Sequence, residues 1–279
     1  MRDRTLITHA LRIDSRSPRI SAMSLAAIAM LSPAFCEAAR AGEIPPSRLL
    51  QSPAITARAK SATAPSGPDQ LRLSLEQAMW TALAFEDEVK LASLLKQGAN
   101  PNKPDELSQM TPLMAAETAP IAKILLEAGA DPNLRDRTGR TPMHHAVKMR
   151  EGASIVHLLF SAGGDVNARA QDGGQSTPLF CAIDNYLESK DRKEAALIIR
   201  VLAHLGAKLD TADAAGNTPL ALAATNNQPE LIRLLLELGA DASRPLGDGR
   251  TPLDYARDAN AEDAIQALAA GPSKAIPAN

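Results

Sequence analysis

The sequence predicts an all-α fold, a solenoid of about six helix–turn–helix units joined by short β-turn or hairpin loops. A repeated motif predicts the units: Thr-Pro followed by an apolar residue occurs five times in the 279-residue chain. The composition predicts the helices, since 45% of the residues are apolar and 52 are Ala, but only seven are Phe, Trp or Tyr. A β-sandwich or barrel needs β-branched and aromatic side chains on its inner faces, and this chain lacks the aromatic ones.

The first 41 residues have the layout of a bacterial secretory signal peptide. Five arginines precede an apolar stretch at residues 20–31, and residues 39–41 (Ala-Arg-Ala) offer a small-residue cleavage site. The stretch is shorter than the roughly 20 residues that a membrane-spanning helix needs, so we expect no stable membrane span. Two alternatives stay open: an unstructured N-terminus, and an uncleaved leader for a specialised secretion system. A start at Met23 instead of Met1 would remove the basic region.

Residues 42–70 are rich in Pro, Ser, Ala and Thr and show no apolar period, so we expect a disordered linker. Residues 1–70 hold nine Lys and Arg against five Asp and Glu, whereas residues 71–279 hold 21 against 27. A basic leader therefore precedes an acidic domain with a net charge of −6. Because the chain has no net basic charge and few rings for stacking on bases, we expect no nucleic acid among its partners.

Each residue that recurs in the repeat has a role in local structure. A Thr before Pro predicts a helix N-cap, and Pro suits the first helical position because its missing N–H would be unpaired there. A Gly closes each apolar run that follows, which predicts a left-handed residue after the helix. The apolar run at residues 231–236 covers most of a helix circumference and predicts a second helix packed between its neighbours. The structural positions are Thr111, Pro112, Thr141, Pro142, Thr177, Pro178, Thr218, Pro219, Thr251, Pro252, Gly98, Gly129, Gly163, Gly206 and Gly239.

Residues 217–224 (Asn-Thr-Pro-Leu-Ala-Leu-Ala-Ala), with the run at 231–236 and residues 239–241 (Gly-Ala-Asp), closely resemble the ankyrin repeat pattern. The resemblance covers residues 71–271 and implies a protein-binding domain whose loops and first helices line a concave face. We expect the six repeats near residues 71–106, 107–136, 137–172, 173–213, 214–246 and 247–271, followed by a flexible tail at residues 272–279.

Four repeats depart from this pattern, and the second is three residues short between Ala116 and Ile121. The first lacks Thr-Pro, but Ser74 and Gln77 form a capping-box sequence that predicts its helix start. The fourth carries extra residues at 185–193, which we expect to form a loop used in binding. The sixth has a polar second helix, which is typical of a C-terminal capping repeat.

The sequence offers no constellation for catalysis, so we expect no catalytic, cofactor-binding or metal-binding residue; an enzyme stays a remote alternative. His144 stands three residues after its Thr, where ankyrin repeats often carry a His that bonds nearby turns. Cys181 is expected to be a small buried side chain, and removal of the leader would leave it as the only cysteine. His157 and His204 lie in second helices at a spacing unrelated to metal binding.

The residues expected to bind a partner lie in the loops and on the exposed side of the first helices. They are Arg137, Thr138, Arg140, Lys148, Met149, Gln175, Ser176, Asp184, Asn185, Tyr186, Asn217, Thr225, Asn226, Asp248 and Arg250. We expect a monomer that uses no cofactor and binds a protein partner.

The expected function is a non-catalytic interaction module that is periplasmic or secreted, either an antagonist or immunity-type binder or a helper of an envelope enzyme. The alternative function is a secreted effector that acts on a host protein, with residues 1–70 as its secretion signal. The alternative location is cytoplasmic or host-delivered.

Overall fold

The computed structural model describes residues 68–189 and 192–271, with side chains from Leu75 onward. Within these ranges the chain forms eleven α-helices, one 3-10 helix and no strand, which confirms the predicted all-α class. The signal peptide, most of the linker and the C-terminal tail predicted from the sequence lie outside the described residues. The α-helices are α1 Pro68–Ala84, α2 Glu88–Lys96, α3 Ala119–Glu127, α4 Pro142–Ala146, α5 Gly152–Ser161, α6 Pro178–Glu188, α7 Arg192–His204, α8 Pro219–Thr225, α9 Pro229–Glu237, α10 Pro252–Asp258 and α11 Glu262–Ala270. The 3-10 helix, Pro112–Ala115, lies between α2 and α3.

The chain forms two compact units. Helix α1 belongs to the unit that ends at Phe85, and the helices from α2 onward belong to the unit that begins at Glu86. Within this second unit the helices pack as pairs, namely the 3-10 helix with α3, α4 with α5, α6 with α7, α8 with α9 and α10 with α11. Successive pairs also contact each other, for example α3 with α5, α5 with α7, and α8 with α10. The second unit is therefore a stack of helix pairs.

The Thr-Pro motif starts the first helix of each pair, as the sequence predicts. Every motif Thr occupies the N-cap position, and Pro is the first helical residue. The hydroxyls of Thr177 and Thr218 accept hydrogen bonds from the backbone N–H three residues on, at 3.4 and 3.3 Å. This start fixes which helical positions face the core, so the Ala five residues after each Thr is buried in every pair.

The glycines that follow the second helices take the left-handed conformation that the sequence predicts. Their φ angles lie between +87° at Gly163 and +101° at Gly239. A side chain would be strained at such angles, so Gly ends the helix at little cost and turns the chain into the next loop.

The structure corrects two expectations about the less regular repeats. Ser74 does not cap a helix, because α1 begins at Pro68 and runs through it. The extra residues of the fourth repeat do not all form a loop, because α6 continues to Glu188 and takes in Asn185 and Tyr186. Since residues 179, 182, 183 and 186 share one side of a helix, this continuation buries Tyr186, which is 4% exposed.

Candidate protein-binding face

Five closed loops each lead into the first helix of a pair, one of them after α2 and four between consecutive pairs. In each loop a backbone N–H donates to a carbonyl four to six residues on, for example Asp136 to Arg140 and Asp213 to Asn217, both at 2.9 Å. We call these loops hairpins 1 to 5, and they comprise residues 105–110, 136–140, 170–176, 213–217 and 246–250. Each hairpin directly precedes a Thr-Pro helix start, so its position relative to the stack is fixed.

A carboxylate holds the shape of three hairpins from inside. In hairpin 2, Asp136 Oδ1 accepts hydrogen bonds from the backbone N–H groups of Thr138 and Arg140, at 2.8 and 3.0 Å. Asp105 and Asp213 do the same in hairpins 1 and 4. An Asp that bonds its own turn in this way pre-forms the loop without any partner.

Backbone hydrogen bonds also join neighbouring hairpins. The N–H of Arg137 donates to Ser108 O at 3.2 Å, that of Gln171 to Thr138 O at 2.8 Å, and that of Ala214 to Gly174 O at 2.9 Å. Hairpins 1 to 4 therefore form a continuous row. A pre-formed row presents its exposed side chains without paying the entropy of loop ordering when a partner binds.

The middle of the row carries a compact group of charged and polar side chains. The Arg140 guanidinium donates twice to Asp172 Oδ2 of the next hairpin, at 2.9 Å from Nη2 and 3.2 Å from Nε. One layer below, His145 Nε2 lies 2.9 Å from Asp136 Oδ2. Burial lowers the pKa of His145 even though Asp136 opposes it, so at neutral pH a neutral ring is hydrogen-bonded to the ionised carboxylate. Burial alone would raise the pKa of Asp136, but hydrogen bonds from Thr138 and His145 lower it.

His144 has the structural role that the sequence predicts. Its Nδ1 lies 2.9 Å from Thr141 Oγ1, and its Nε2 lies 3.1 Å from the carbonyl of Ser176 in the next hairpin. Burial lowers the pKa of His144 to about 4, so the ring is neutral at neutral pH. It connects the start of α4 to hairpin 3 and is not available to a partner.

The structure distributes the predicted binding residues among three levels of exposure. Exposed side chains are those of Arg137, Thr138, Lys148, Gln175, Asp184, Thr225, Asn226, Asp248 and Arg250. Half-buried ones are those of Arg140, Met149, Ser176, Asn185 and Asn217. Tyr186 is buried and cannot present its ring on a binding face, which corrects its place among these residues.

Some of the candidates are engaged in the fold. Asn185 donates its amide to the carbonyl of Val147 in the preceding pair, at 3.0 Å. Thr225 and Asn226 donate to carbonyls of their own helix. Among the described residues, Arg137 forms no salt bridge, and its guanidinium is open to a partner. We therefore place the centre of the candidate binding face at hairpin 2.

Sequence reasoning missed Tyr255 of α10. The Arg250 guanidinium lies 4.3 Å from the centroid of the Tyr255 ring. The Tyr255 hydroxyl donates to Asp248 Oδ2 at 3.0 Å. Tyr255 is half-buried and stands four residues after Thr251, as His145 does after Thr141. That shared repeat position is the signal that could have found it.

Leu107 is a second residue that the sequence did not single out. It lies at the tip of hairpin 1 and is 63% exposed. Asp105 holds the loop beneath it by accepting from the N–H of Leu107 at 2.9 Å.

The described part of the chain holds no group of three or more His, Cys, Asp or Glu side chains that could bind a metal ion. Cys181 is buried, and burial raises the pKa of its thiol to about 11, so thiolate is scarce at neutral pH. Among the described helices none is long and apolar enough to cross a membrane. The candidate face thus consists of exposed polar side chains on pre-ordered loops of the stack.

A stack of helix pairs connected by a row of hairpin loops defines a helical repeat protein of the solenoid class. The family model for ankyrin repeats matches residues 79–170 and 190–277, and the chain belongs to the ankyrin repeat family.

Two curated relatives each match about a third of this chain. The neurogenic locus Notch protein of Drosophila melanogaster is 41% identical over 95 residues, which are 33% of this chain and 3% of Notch. The human ankyrin repeat and SOCS box protein 6 is 34% identical over 118 residues, which are 38% of this chain and 28% of that protein. The chain therefore spans less than a third of either relative.

Two solved structures are similar over about 70% of this chain. One is a chain from the complex of a predatory endopeptidase of Bdellovibrio bacteriovorus with an immunity protein. It has 27% identity and a TM-score of 0.56, and the match covers 70% of this chain and 97% of that one. The other is the ankyrin repeat domain of Bcl-3, with 25% identity and a TM-score of 0.60, covering 69% and 85% respectively.

Proposed function

We propose that this chain is a non-catalytic, monomeric protein-binding module of the bacterial periplasm, an immunity-type binder that masks an exported enzyme. The observation that carries the proposal is the likeness to a chain of the endopeptidase–immunity protein complex, of which the match covers 97%. All ankyrin proteins share the repeat itself, but this match covers nearly the whole of that chain and therefore includes the size of the stack. A helper that supports an envelope enzyme would use the same face and differs only in the consequence of binding.

The exposed side chains of the hairpins and of the helices next to them support binding to a protein surface. Arg and Tyr are enriched among the residues that dominate protein–protein affinity. Arg137 and Arg250 are exposed, and Tyr255 lies against Arg250. Met149, half-buried after α4, offers a flexible apolar side chain. Arg137 and Arg250 stand on pre-formed turns, which lowers the ordering cost of a complex.

The test begins with a pull-down from the native envelope fraction, followed by affinity measurements on the purified pair. We expect the triple variant Arg137→Ala, Arg140→Ala, Met149→Ala to weaken the complex at least tenfold, since truncation of central Arg contacts is costly. The matched control replaces three exposed residues of second helices, Lys96→Ala, Lys123→Ala and Arg200→Ala, and should leave the affinity unchanged.

Circular dichroism and thermal melting must show both triple variants to be folded, because Arg140 also bonds Asp172. Unchanged affinity in the folded hairpin variant would exclude hairpin 2 from the interface. Turnover of a substrate by the purified chain alone would overturn the non-catalytic assignment.

A further inference from the structure

The fourth repeat breaks two rules at the start of the connecting loop: the first, second, third and fifth repeats follow one of them, and the first three repeats follow the other. In the four repeats that follow the first rule, the second residue after the helix-ending Gly is Asp or Asn, and its side chain accepts a hydrogen bond from the N–H two residues on. The distances are 2.8 Å at Asp131, Asp165 and Asp241 and 2.9 Å at Asn100. The fourth repeat has Lys208 at this position, and Lys has no acceptor to offer.

The second rule concerns an Asn that links consecutive repeats. Asn133 donates from Nδ2 to Gly163 O and accepts at Oδ1 from the N–H of Asp165, both at 2.9 Å. Asn102 and Asn167 do the same one repeat before and after. The fourth repeat has Asp210 here, which accepts from the N–H of Asp241 at 3.0 Å but has no amide to donate to Gly239 O. Local rules broken at a structural cost are typical of functional sites.

Both departures lie in one groove. It is open, has a volume of about 580 Å³ and is lined by Arg169, Lys208, Leu209, Asp210, Thr211, Ala212 and Arg244. Three cations from three successive loops therefore surround a single carboxylate, in a domain whose net charge is −6. Neither Lys208 nor Arg244 forms a salt bridge among the described residues.

Arg169 is held in place for an incoming anion. Its guanidinium donates to Gln175 Oε1 at 2.8 Å and to Ala212 O at 3.1 Å, both neutral acceptors. These bonds orient the guanidinium without neutralising its charge, so an anion that reaches the groove meets a fixed cation.

We propose that this groove binds an acidic peptide segment of a protein partner through its carboxylates. The inference rests on the proposed protein-binding function and adds a second contact region to it. The groove favours a peptide over a single phosphate, because its three cations come from three successive loops and an extended chain with several carboxylates can reach all of them. The lining residues come from the segments that lead into the hairpins, and none of them is a hairpin tip or a first-helix residue.

The test uses a fluorescently labelled peptide of alternating Asp and Glu, a matched peptide of Asn and Gln, and inorganic phosphate, with the full chain at low ionic strength. Fluorescence anisotropy should show at least tenfold tighter binding of the acidic peptide than of the neutral one, weakening as salt is raised. Phosphate should compete only at concentrations far above those of the peptide.

Two variants separate binding from folding, because each introduces a residue that other repeats use at the same position: Asp in the second, third and fifth repeats, and Asn in the first three. Lys208→Asp replaces a cation with a carboxylate and should weaken binding of the acidic peptide at least tenfold. Asp210→Asn removes the only carboxylate that lines the groove and should strengthen binding of the acidic peptide severalfold. Both variants should melt no lower than the wild type. Lys103→Asp, an exposed charge reversal in the first repeat, should leave peptide affinity unchanged.

Equal binding of the two peptides, or effects of the same sign in the two variants, would overturn the proposal. So would competition by phosphate at concentrations as low as those of the peptide, which would assign the groove to a phosphate ligand. A failure here would leave the hairpin-row test intact, since the triple variant touches no residue of the groove.

Discussion

His144 shows how one residue type changes the local bonding of a repeat. The position three residues after the motif Thr holds Met114, His144, Phe180, Ala221 and Asp254 in successive repeats. His144 bonds both Thr141 and the next hairpin. In the repeat before it, the hydroxyl of Thr111 is buried without a hydrogen-bond partner in the described structure, because Met114 offers only a sulfur near the backbone N–H. An unsatisfied buried hydroxyl costs stability, so the second repeat gains less from its cap than the third does from its own.

The first prediction concerns stability against pH and belongs to His144. Because burial lowers its pKa from 6.5 to about 4, the unfolded state binds more protons than the folded state within that window. The stabilisation by the neutral, buried His144 is therefore complete above pH 6.5. It should be lost as the pH falls toward 4, which lowers the free energy of unfolding by about 3 kcal/mol in total. Urea unfolding followed by circular dichroism across this range measures it.

The His144→Met variant carries the residue of the second repeat and should show a flatter pH dependence. His145→Gln is the necessary companion, because burial lowers the pKa of His145 as well. A slope that is unchanged in His144→Met would assign the pH dependence to other groups.

At the scale of elements, the loops between repeats are linked by a ladder of Asn side chains that ends at Asp210. Asn102, Asn133 and Asn167 each satisfy a helix-end carbonyl and a backbone N–H of the next loop. Gly239 O lacks this partner. Asp210→Asn should supply it and raise the free energy of unfolding by about 1 kcal/mol, the usual net value of one hydrogen bond.

Chemical denaturation of the variant against the wild type measures this gain, and Asn167→Asp is the matched control. It removes the donor to Gly206 O and should lower stability by a similar amount. A less stable Asp210→Asn protein would show that the carboxylate contributes in a way that the ladder does not describe.

The sequence predicted those elements whose signals are local. Thr-Pro marks helix starts and Gly marks helix ends because the N-cap and the left-handed C-terminal residue depend on a few adjacent residues. The 3-10 form of Pro112–Ala115, the start of α1 at Pro68 and the length of α6 depend on packing between elements, and the sequence did not indicate them.

The same limit applies to the candidate site. Exposed loop positions such as Arg137 and Gln175 follow from the phase of the repeat. Pairings such as Arg140 with Asp172 join residues 32 positions apart and require the stack to form. The helix continuation that buries Tyr186 could not be distinguished from a loop insertion, since both add the same number of residues.

At the scale of the whole molecule, stability comes from contacts between neighbouring repeats. Cys181 is buried and free, and it is the only cysteine of the described residues. Such a stack can fold in the oxidising periplasm or in a reducing compartment without a change in covalent structure. The fold is therefore compatible with the proposed periplasmic location but equally with a reducing compartment. Cleavage or retention of the predicted leader would distinguish the two locations.

The last prediction uses cysteine to test the leader and the fold together. The chain has two cysteines, Cys36 in the predicted leader and Cys181 in the stack. If export removes residues 1–41, protein recovered from the periplasm should show one thiol per chain with Ellman's reagent in denaturant. Without denaturant it should show almost none, because Cys181 is 2% exposed and its thiol pKa is raised to about 11. N-terminal sequencing should then begin at Gly42. Two thiols and an intact residue 1 would contradict removal of the leader and favour delivery by a specialised secretion system. Fast reaction of Cys181 in the native protein would contradict the packing of α6.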